Sequence, residues 1–345
     1  MSQLKGTFLV TGANGGLGSA IVQQITSKSA FAEYHGLYTV RDANSASTLK
    51  TTLSSVPSHS HDLVNLDLAD LDSVRRAAET INTRIASGGI PPIQLLILNA
   101  GFQDFGKQTW TSDGFDKTFS ANYLGHWLLT LLLLKSVDKE SGRIVIIGSQ
   151  SHDPFDKRND SGGCFTNDKY KTIVQDEESI EAIAKGTWSS AEEDPSWRSG
   201  FRRYGAAKLF LIMMMHELQR RLDRDSALNR ICVVGIDPGS MPTGLQRHAP
   251  WFIRIVIFKI IYPIVLWFSP NGLVRSPSTS ASQVLEAATC MTPEGEAPKD
   301  AYYFDGRLID TSSESRDVKK RDWVWKKSIE YAHLAQGETV LADWK

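Results

Sequence analysis

Thr7-Phe8-Leu9-Val10-Thr11-Gly12-Ala13-Asn14-Gly15-Gly16-Leu17-Gly18 runs a short apolar segment straight into a glycine-rich turn. A stretch with helical spacing, Gly16 to Ser27, follows at once. A strand, a glycine turn and a helix start together make an anion site. Backbone N–H groups point outward there, and the helix dipole favours a pyrophosphate. In this reading Gly12 permits the tight turn, Gly16 the close approach of a ligand, and Gly18 the packing of helix on sheet. Asn14 and Leu17 belong to the same turn and count as contacts. The plain alternative is a flexible turn, but the strand before and the helix after match the context a dinucleotide site requires.

Outward from this turn, apolar runs alternate with helical patterns. Strands are expected at Thr7–Thr11, Gly36–Val40, Leu63–Leu66, Ile93–Leu98, Arg143–Gly148, Ile231–Ile236 and Ala301–Phe304. Helices are expected at Gly16–Ser27, Asn44–Ser54, Leu71–Ala86, Asp113–Lys135, Tyr204–Asp223 and Ser278–Ala288, with another near Val318–Leu334. Such alternation means βαβ units and a parallel sheet. Runs such as Leu95-Leu96-Ile97-Leu98 are apolar throughout, as strands buried on both faces are. The fold class is therefore α/β: one doubly wound parallel sheet with helices on both faces. Three stretches stand outside the alternation. They are a polar insertion over 153–200, an apolar, basic segment over 243–275, and an extension over 306–345.

Composition narrows the function. The chain has 345 residues, a net charge of −1, 41% hydrophobic and 22% charged residues. Near-zero charge argues against a dedicated nucleic-acid binder. Cys164, Cys232 and Cys290 form neither a disulfide framework nor a metal-ligand spacing, so no metal is expected and a reducing compartment is. The first residues are polar and lead directly into the first strand, with no pattern of a cleaved signal.

Further motifs carry a resemblance. Asn99-Ala100-Gly101 follows the fourth strand, and Asn122-Tyr123-Leu124-Gly125-His126 lies in the next helix. Ser149 closes the fifth strand, Tyr204-Gly205-Ala206-Ala207-Lys208 opens a helix, and Pro238-Gly239 precedes Thr243 after the sixth strand. With the TGxxxGxG spacing of the glycine turn, this ordered set resembles the short-chain dehydrogenase/reductase family, over about residues 4–334. The form of the Asn122 motif resembles its retinol dehydrogenase-like and protochlorophyllide reductase-like branch, and the length of the insertion is similar to that of carbonyl reductase-like relatives. The resemblance implies a Rossmann-type fold and a nicotinamide cofactor held by Gly12, Asn14, Gly16, Leu17, Gly18, Asn99, Ala100, Gly101, Tyr204, Lys208, Pro238, Gly239 and Thr243. It also implies a catalytic set of Asn122, Ser149, Tyr204 and Lys208.

Physical chemistry supports these roles. Tyrosine at its ordinary pKa near 10 is a poor acid–base group. Lys208 stands one helical turn from Tyr204 on the same face, and its charge is expected to lower the tyrosine pKa. By the family's mechanism Tyr204 protonates the substrate oxygen, Ser149 holds it, and Lys208 contacts the nicotinamide ribose. Asn122 anchors a water behind Lys208, or is a buried asparagine bonding backbone carbonyls, or both. A surface Tyr/Lys pair is the bland alternative for Tyr204 and Lys208. His152 is read as a loop residue or pocket liner, and His126 as a packing histidine.

Arg41 follows the second strand at Val40, where an acid would select NAD; arginine suits the 2′-phosphate of NADP(H). Asp42 opposes that reading if the register shifts by one. Asp67 matches the family's adenine-contacting acid, or else caps the next helix, a role for which Asp70 competes.

The segment from Trp251 to Phe268 is aromatic and apolar but interrupted by Arg254, Lys259 and Pro263, so it is not expected to span a membrane. It reads as a lid over an apolar pocket, or as a segment lying peripherally on an intracellular membrane. The insertion carries eleven Asp/Glu against six Lys/Arg from Asp153 to Gly200. It is expected to fold as a helical flap and to obstruct the tetramer face common in the family, leaving a monomer or homodimer. The expected protein is thus a cytoplasmic NADPH-dependent reductase of a ketone or aldehyde on a lipophilic steroid-, retinoid-, polyketide- or terpenoid-like molecule. Alcohol oxidation with NADP, and a non-redox isomerase or cyclase on the same fold, are the alternatives.

Overall fold

The structure, a computed structural model, describes residues 4–268, 272 and 274–345. Residues 1–3 of the polar start, and 269–271 and 273 of the expected lid, lie outside the described residues. Eight strands form one sheet: β1 (Gly6–Val10), β2 (Tyr34–Val40), β3 (His61–Asn65), β4 (Ile93–Leu98), β5 (Arg143–Ile147), β6 (Cys232–Asp237), β7 (Ala301–Phe304) and β8 (Arg307–Leu308). Their order is β3-β2-β1-β4-β5-β6-β7-β8. Every pairing is parallel except β7 with β8. The order reverses between β1 and β4, and a crevice at such a switch point is where doubly wound sheets bind ligands.

The helices are α1 (Gly16–Ser27), α2 (Ser47–Ser54), α3 (Leu71–Ala86), α4 (Lys117–Phe119), α5 (Gly125–Leu133), α6 (Glu177–Lys185), α7 (Trp197–Arg224), α8 (Tyr262–Phe268), α9 (Pro277–Thr289), α10 (Ser313–Arg316) and α11 (Val318–Tyr331). Strand side chains alternate between two apolar cores. Leu96 and Leu98 join the core under α3, α5, α7 and α11, while Leu95 and Ile97 join the core under α1, α2 and α9. Burial on both faces explains why β4 and β5 are apolar throughout.

Four features depart from the sequence expectation. The sheet has an antiparallel edge, because Asp305 and Gly306 both take positive φ (55° and 68°) and turn the chain back into β8. Asp-Gly is a strong hairpin signal, and it was overlooked. The helix expected over 113–135 begins only at Lys117, capped by Asp116, and opens into a π turn at Ser120–Leu124 before α5. The helix expected from Tyr204 begins at Trp197, because Ser196 caps it by accepting from the Arg198 amide. The extension beyond 306 is a packed part of the core. Trp325 meets Trp127 edge to face at 5.3 Å, and its Nε1 donates to the Trp344 carbonyl at 2.8 Å. Arg221 of α7 donates to the Lys345 carbonyl at 2.7 Å, so the C-terminus is strapped to the central helix.

The lid segment is a π-helical stretch, Ile253–Ile261, running into α8. Trp251, Phe252, Ile264, Trp267 and Phe268 are exposed on it. Among the described residues, no helix is long and apolar enough to cross a membrane.

Candidate active site

The glycine turn lies at the C-terminal edge of the sheet, beside the β4 end. Gly12 sits at φ +65°, and a Cβ there would stand 2.9 Å from the Ala100 backbone. The turn therefore touches the Asn99-Ala100-Gly101 loop directly. Most longer helices here have a side-chain cap, but α1 starts at Gly15 with none. That leaves its first-turn amides to an external acceptor, which fits a pyrophosphate. Asn14 points elsewhere: its Oδ1 accepts from the Leu49 amide at 3.0 Å, tying the turn to α2. Thr243 packs on Gly16, and Pro238 accepts from Ser280 Oγ at 2.7 Å. Leu17 is buried in the core beneath the turn.

Thr11 joins the turn to the rest. Its hydroxyl accepts from the Asn99 and Ala100 amides at 2.8 and 2.9 Å. Its proton then goes to the nearer acceptor, His126 Nε2, at 3.0 Å. This fixes the His126 tautomer, so Nδ1–H donates to the Asn122 carbonyl at 3.2 Å. Asn99 Nδ2 donates to the Thr11 carbonyl at 2.7 Å. His126 is thus more than packing: it carries order from the glycine turn to the π turn. Asn122 itself is buried, donating to the Phe102 and Thr118 carbonyls at 2.7 Å each and accepting from the Phe102 amide at 2.9 Å. Its side chain holds the loop after Gly101 to the helix, the second of the roles its sequence position allowed.

Ser149 ends β5 with its Oγ accepting from Ser151 N and Oγ at 3.2 and 3.0 Å. His152 is buried and clamps this loop: Nδ1–H donates to the Ser149 carbonyl at 2.6 Å, and Nε2 accepts from the Ser312 amide at 3.2 Å. Gly205 lets α7 come close, since a Cβ there would stand 2.5 Å from the Ser151 carbonyl. The approach brings Tyr204 against Ser149. Burial, then the charge of Asp237, push the Tyr204 phenol well above its usual pKa, and a hydrogen bond with Ser149 works in the opposite direction. Lys208 donates to the Ile147 carbonyl at 2.7 Å, and burial pulls its ammonium down to about 8 while Asp237 opposes this. The expectation that Lys208 lowers the Tyr204 pKa gives way here to burial. A raised pKa makes the phenol a weaker acid, so what fits Tyr204 for proton transfer is its position against Ser149 and beside Lys208, not its acidity in this state.

Arg41 follows β2 and is exposed. Asp42 has its own work, accepting from the Asn44 amide at 2.9 Å, a bond that leads in holding its carboxyl below the usual range. The helix α3 is capped by Asp70, which accepts from the Asp72 and Ser73 amides. Asp67 instead accepts from the Ala69 amide at 3.0 Å in the turn after β3.

Several site-building residues escaped sequence reading. Asp237, just before Pro238, is buried; it accepts from the Gly239 amide at 2.9 Å and pairs with Arg158 of the insertion at 2.9 Å. Arg203, beside Tyr204, donates from Nη2 to both Asp104 carboxylate oxygens at 2.8 and 2.9 Å, and its Nε reaches Asp116 at 3.3 Å. Charged residues on a helix that is otherwise apolar are the signal that could have found them, since buried charges need partners.

The buried histidines give the site a pH signature. Burial pulls His126 down to about 3 and His59 to about 4. Below pH 6.5 the unfolded chain binds protons that the folded chain refuses, so stability falls as pH falls through that window. His126 alone should contribute about 1 kcal/mol per pH unit. Urea denaturation at about pH 6 and about pH 4.5 should show a shallower loss in His126→Gln than in the parent; equal losses would refute the assignment.

Comparison with known proteins agrees with this geometry. The short chain dehydrogenase family profile matches residues 6–155. A short-chain dehydrogenase, iccH, of Talaromyces variabilis is 42% identical over 99% of both chains. Protochlorophyllide reductase A of Arabidopsis thaliana is 30% identical over 96% of this chain and 78% of its own. In fold, an angucycline C-6 ketoreductase, LanV, with bound NADP aligns at TM-score 0.56 and 18% identity, covering 88% of this chain and 95% of its own. An NADPH-bound carbonyl reductase from chicken fatty liver aligns at 0.56 and 18%, covering 90% and 100%. The sheet order, the motifs along it and the full-length likeness to a named dehydrogenase lead to one conclusion: the chain belongs to the short-chain dehydrogenase/reductase family, enzymes acting on alcohol and carbonyl groups.

Proposed function

We propose that this enzyme reduces a ketone or aldehyde on a lipophilic substrate with NADPH. The observation that carries the reading is the placement of Tyr204 against Ser149, with Lys208 one turn further along the same helix. The nicotinamide supplies the hydride when bound. Ser149 orients the carbonyl oxygen by a hydrogen bond. Tyr204 gives its proton to that oxygen as negative charge develops there. Lys208, held by the Ile147 carbonyl, would hold the nicotinamide ribose, and with a pKa of about 8 it is mostly charged at neutral pH. Asn122 keeps the π turn in shape behind Lys208 and orders the water path there. The uncapped start of α1, with Gly12, Gly16, Gly18 and the Asn99-Ala100-Gly101 loop, would hold the pyrophosphate, with Gly239 and Thr243 as further contacts.

Arg41 supports NADP(H) over NAD(H): among the described residues it has no carboxylate partner, while Asp42 is engaged with Asn44. The bound NADP and NADPH of the two structural neighbours agree with that choice. The protochlorophyllide reductase and carbonyl reductase likenesses support the same branch. The reverse oxidation would use the same residues. We place the enzyme in the cytoplasm as a monomer or homodimer, because the insertion covers the start of α7. A second reading concerns residues 251–268. Their exposed Trp251, Phe252, Trp267 and Phe268, in a stretch from 238 to 285 that has basic but no acidic residues, support peripheral contact with an anionic membrane.

Three tests follow from this site. Tyr204→Phe should lower kcat by about 100-fold or more while leaving NADPH affinity within about twofold; retained turnover would refute Tyr204 as the acid. Arg41→Ala should weaken NADPH about tenfold or more and spare NADH; equal effects on both would overturn the cofactor choice. The protein should sediment with vesicles containing anionic phospholipid and do so less after Trp267→Ser, whereas a wild type that stays in the supernatant excludes the membrane reading.

A further inference from the structure

A cavity of about 460 Å³ opens beside the chain that follows the Asn99-Ala100-Gly101 loop. Three segments wall it: the loop after Gly101 (Phe105, Lys107), the end of the insertion (Pro195), and the lid (Arg247, His248, Trp251). These are the segments that frame the mouth of the site, and Leu245 of the lid reaches over Gly101. Ser149 and Tyr204 do not line the cavity, so a group seated on its cations is not the group that reacts.

The lining is one-sided in charge. It holds Lys107, Arg247 and His248 and no carboxylate. Arg247 spends its donors on the Gly244 carbonyl at 3.0 Å and His248 Nε2 at 3.2 Å, and stacks near the Phe102 ring at 5.7 Å. Among the described residues neither Arg247 nor Lys107 forms an ion pair. The carboxylate nearest in effect, Asp104, is committed to Arg203, the Gly106 amide and Thr118 Oγ1. Crowding is felt: after burial, Arg41 depresses the Arg247 pKa, and Arg247 and Lys107 depress that of His248, with Asp104 opposing. Lys107 and Arg247 are exposed and His248 is half-buried, so the cavity opens to solvent with cations free to receive an anion through charge-assisted hydrogen bonds. Trp251 and Phe105 add apolar surface to the same cavity.

We propose that this cavity is an anion subsite, and that the lipophilic substrate carries a carboxylate seated against Arg247, His248 and Lys107 while its apolar body lies on Trp251 and Phe105. The inference rests on the carbonyl-reductase reading and narrows its substrate class to acids. The shared chemistry, an anion on Arg247, could also come from the 2′-phosphate of the cofactor, and the test separates the two.

The probes are 2-naphthoate and its methyl ester, titrated calorimetrically into the NADP+-loaded protein. The acid should bind at least about tenfold more tightly than the ester. Arg247→Gln and Lys107→Gln should each erase most of that preference, leaving ester binding and NADPH affinity within about twofold. No preference for the acid, no binding of either probe, or an undiminished preference in both variants overturns the proposal. A loss of NADPH affinity with NADH spared assigns the cations to the cofactor and overturns it as well. If the acid binds as expected yet no ketone is reduced, the subsite stands and the redox reading falls.

Discussion

The structure depends on the burial of α7. Along its length, from Ser199 to Leu222, almost every side chain is sheltered from water. A helix buried all round can carry a polar group only if each one finds a partner. Arg202 takes Asp194 and Ser189; Arg203 takes Asp104 and Asp116; Lys208 takes the Ile147 carbonyl; His216 takes Asp300 and Thr311; Arg221 takes Glu217 and the chain end. Those partners belong to the insertion, the loop after β4, the end of β5, the β7 edge and the C-terminal segment. Satisfying one helix therefore ties down the end of the insertion, the loop after β4, the β7 edge and the chain end together.

That requirement also sets the chemistry. Tyr204 and Lys208 lie within the same sheltered face, between the Arg203 cluster and the methionine-rich stretch Met213-Met214-Met215. Burial is the leading influence on both, raising one pKa and lowering the other. Asp237 acts on both groups from the β6 end, and its own charge is balanced by Arg158 of the insertion. The insertion thus reaches the surroundings of Tyr204 and Lys208 through an ion pair between Arg158 and Asp237.

Much of this was legible in the sequence because its signals are local. The glycine turn, the all-apolar strands and the i, i+4 spacing of Tyr204 and Lys208 each depend on a few neighbouring residues. All seven expected strands are present, as are the ends of α1 and α3. The illegible parts depend on pairings far apart in the chain. Asp104 with Arg203, Arg158 with Asp237, and Trp127 with Trp325 join residues that no window contains. The C-terminal extension reads as a tail because its helix is short and polar; its docking becomes visible only through Trp325 and Trp344. The role of Asn122 was ambiguous for the same reason, since its partner Phe102 is fixed by the π turn and not by spacing.

The buried Arg203–Asp104–Asp116 cluster is instructive because apolar residues in its place would often be as stable or more so. Breaking it from one side would leave a buried charge uncompensated, at a cost of about 3–5 kcal/mol. Its geometry contributes what apolar packing does not. Methionine and leucine contacts tolerate sliding along a helix axis, whereas charge-assisted hydrogen bonds from a guanidinium to a carboxylate are directional and tolerate little. Asp104 follows the Asn99-Ala100-Gly101 loop, and Arg203 precedes Tyr204. These bonds therefore set the axial position of Tyr204 relative to the loop that would carry the nicotinamide, and with it the alignment that the proposed proton and hydride transfers need.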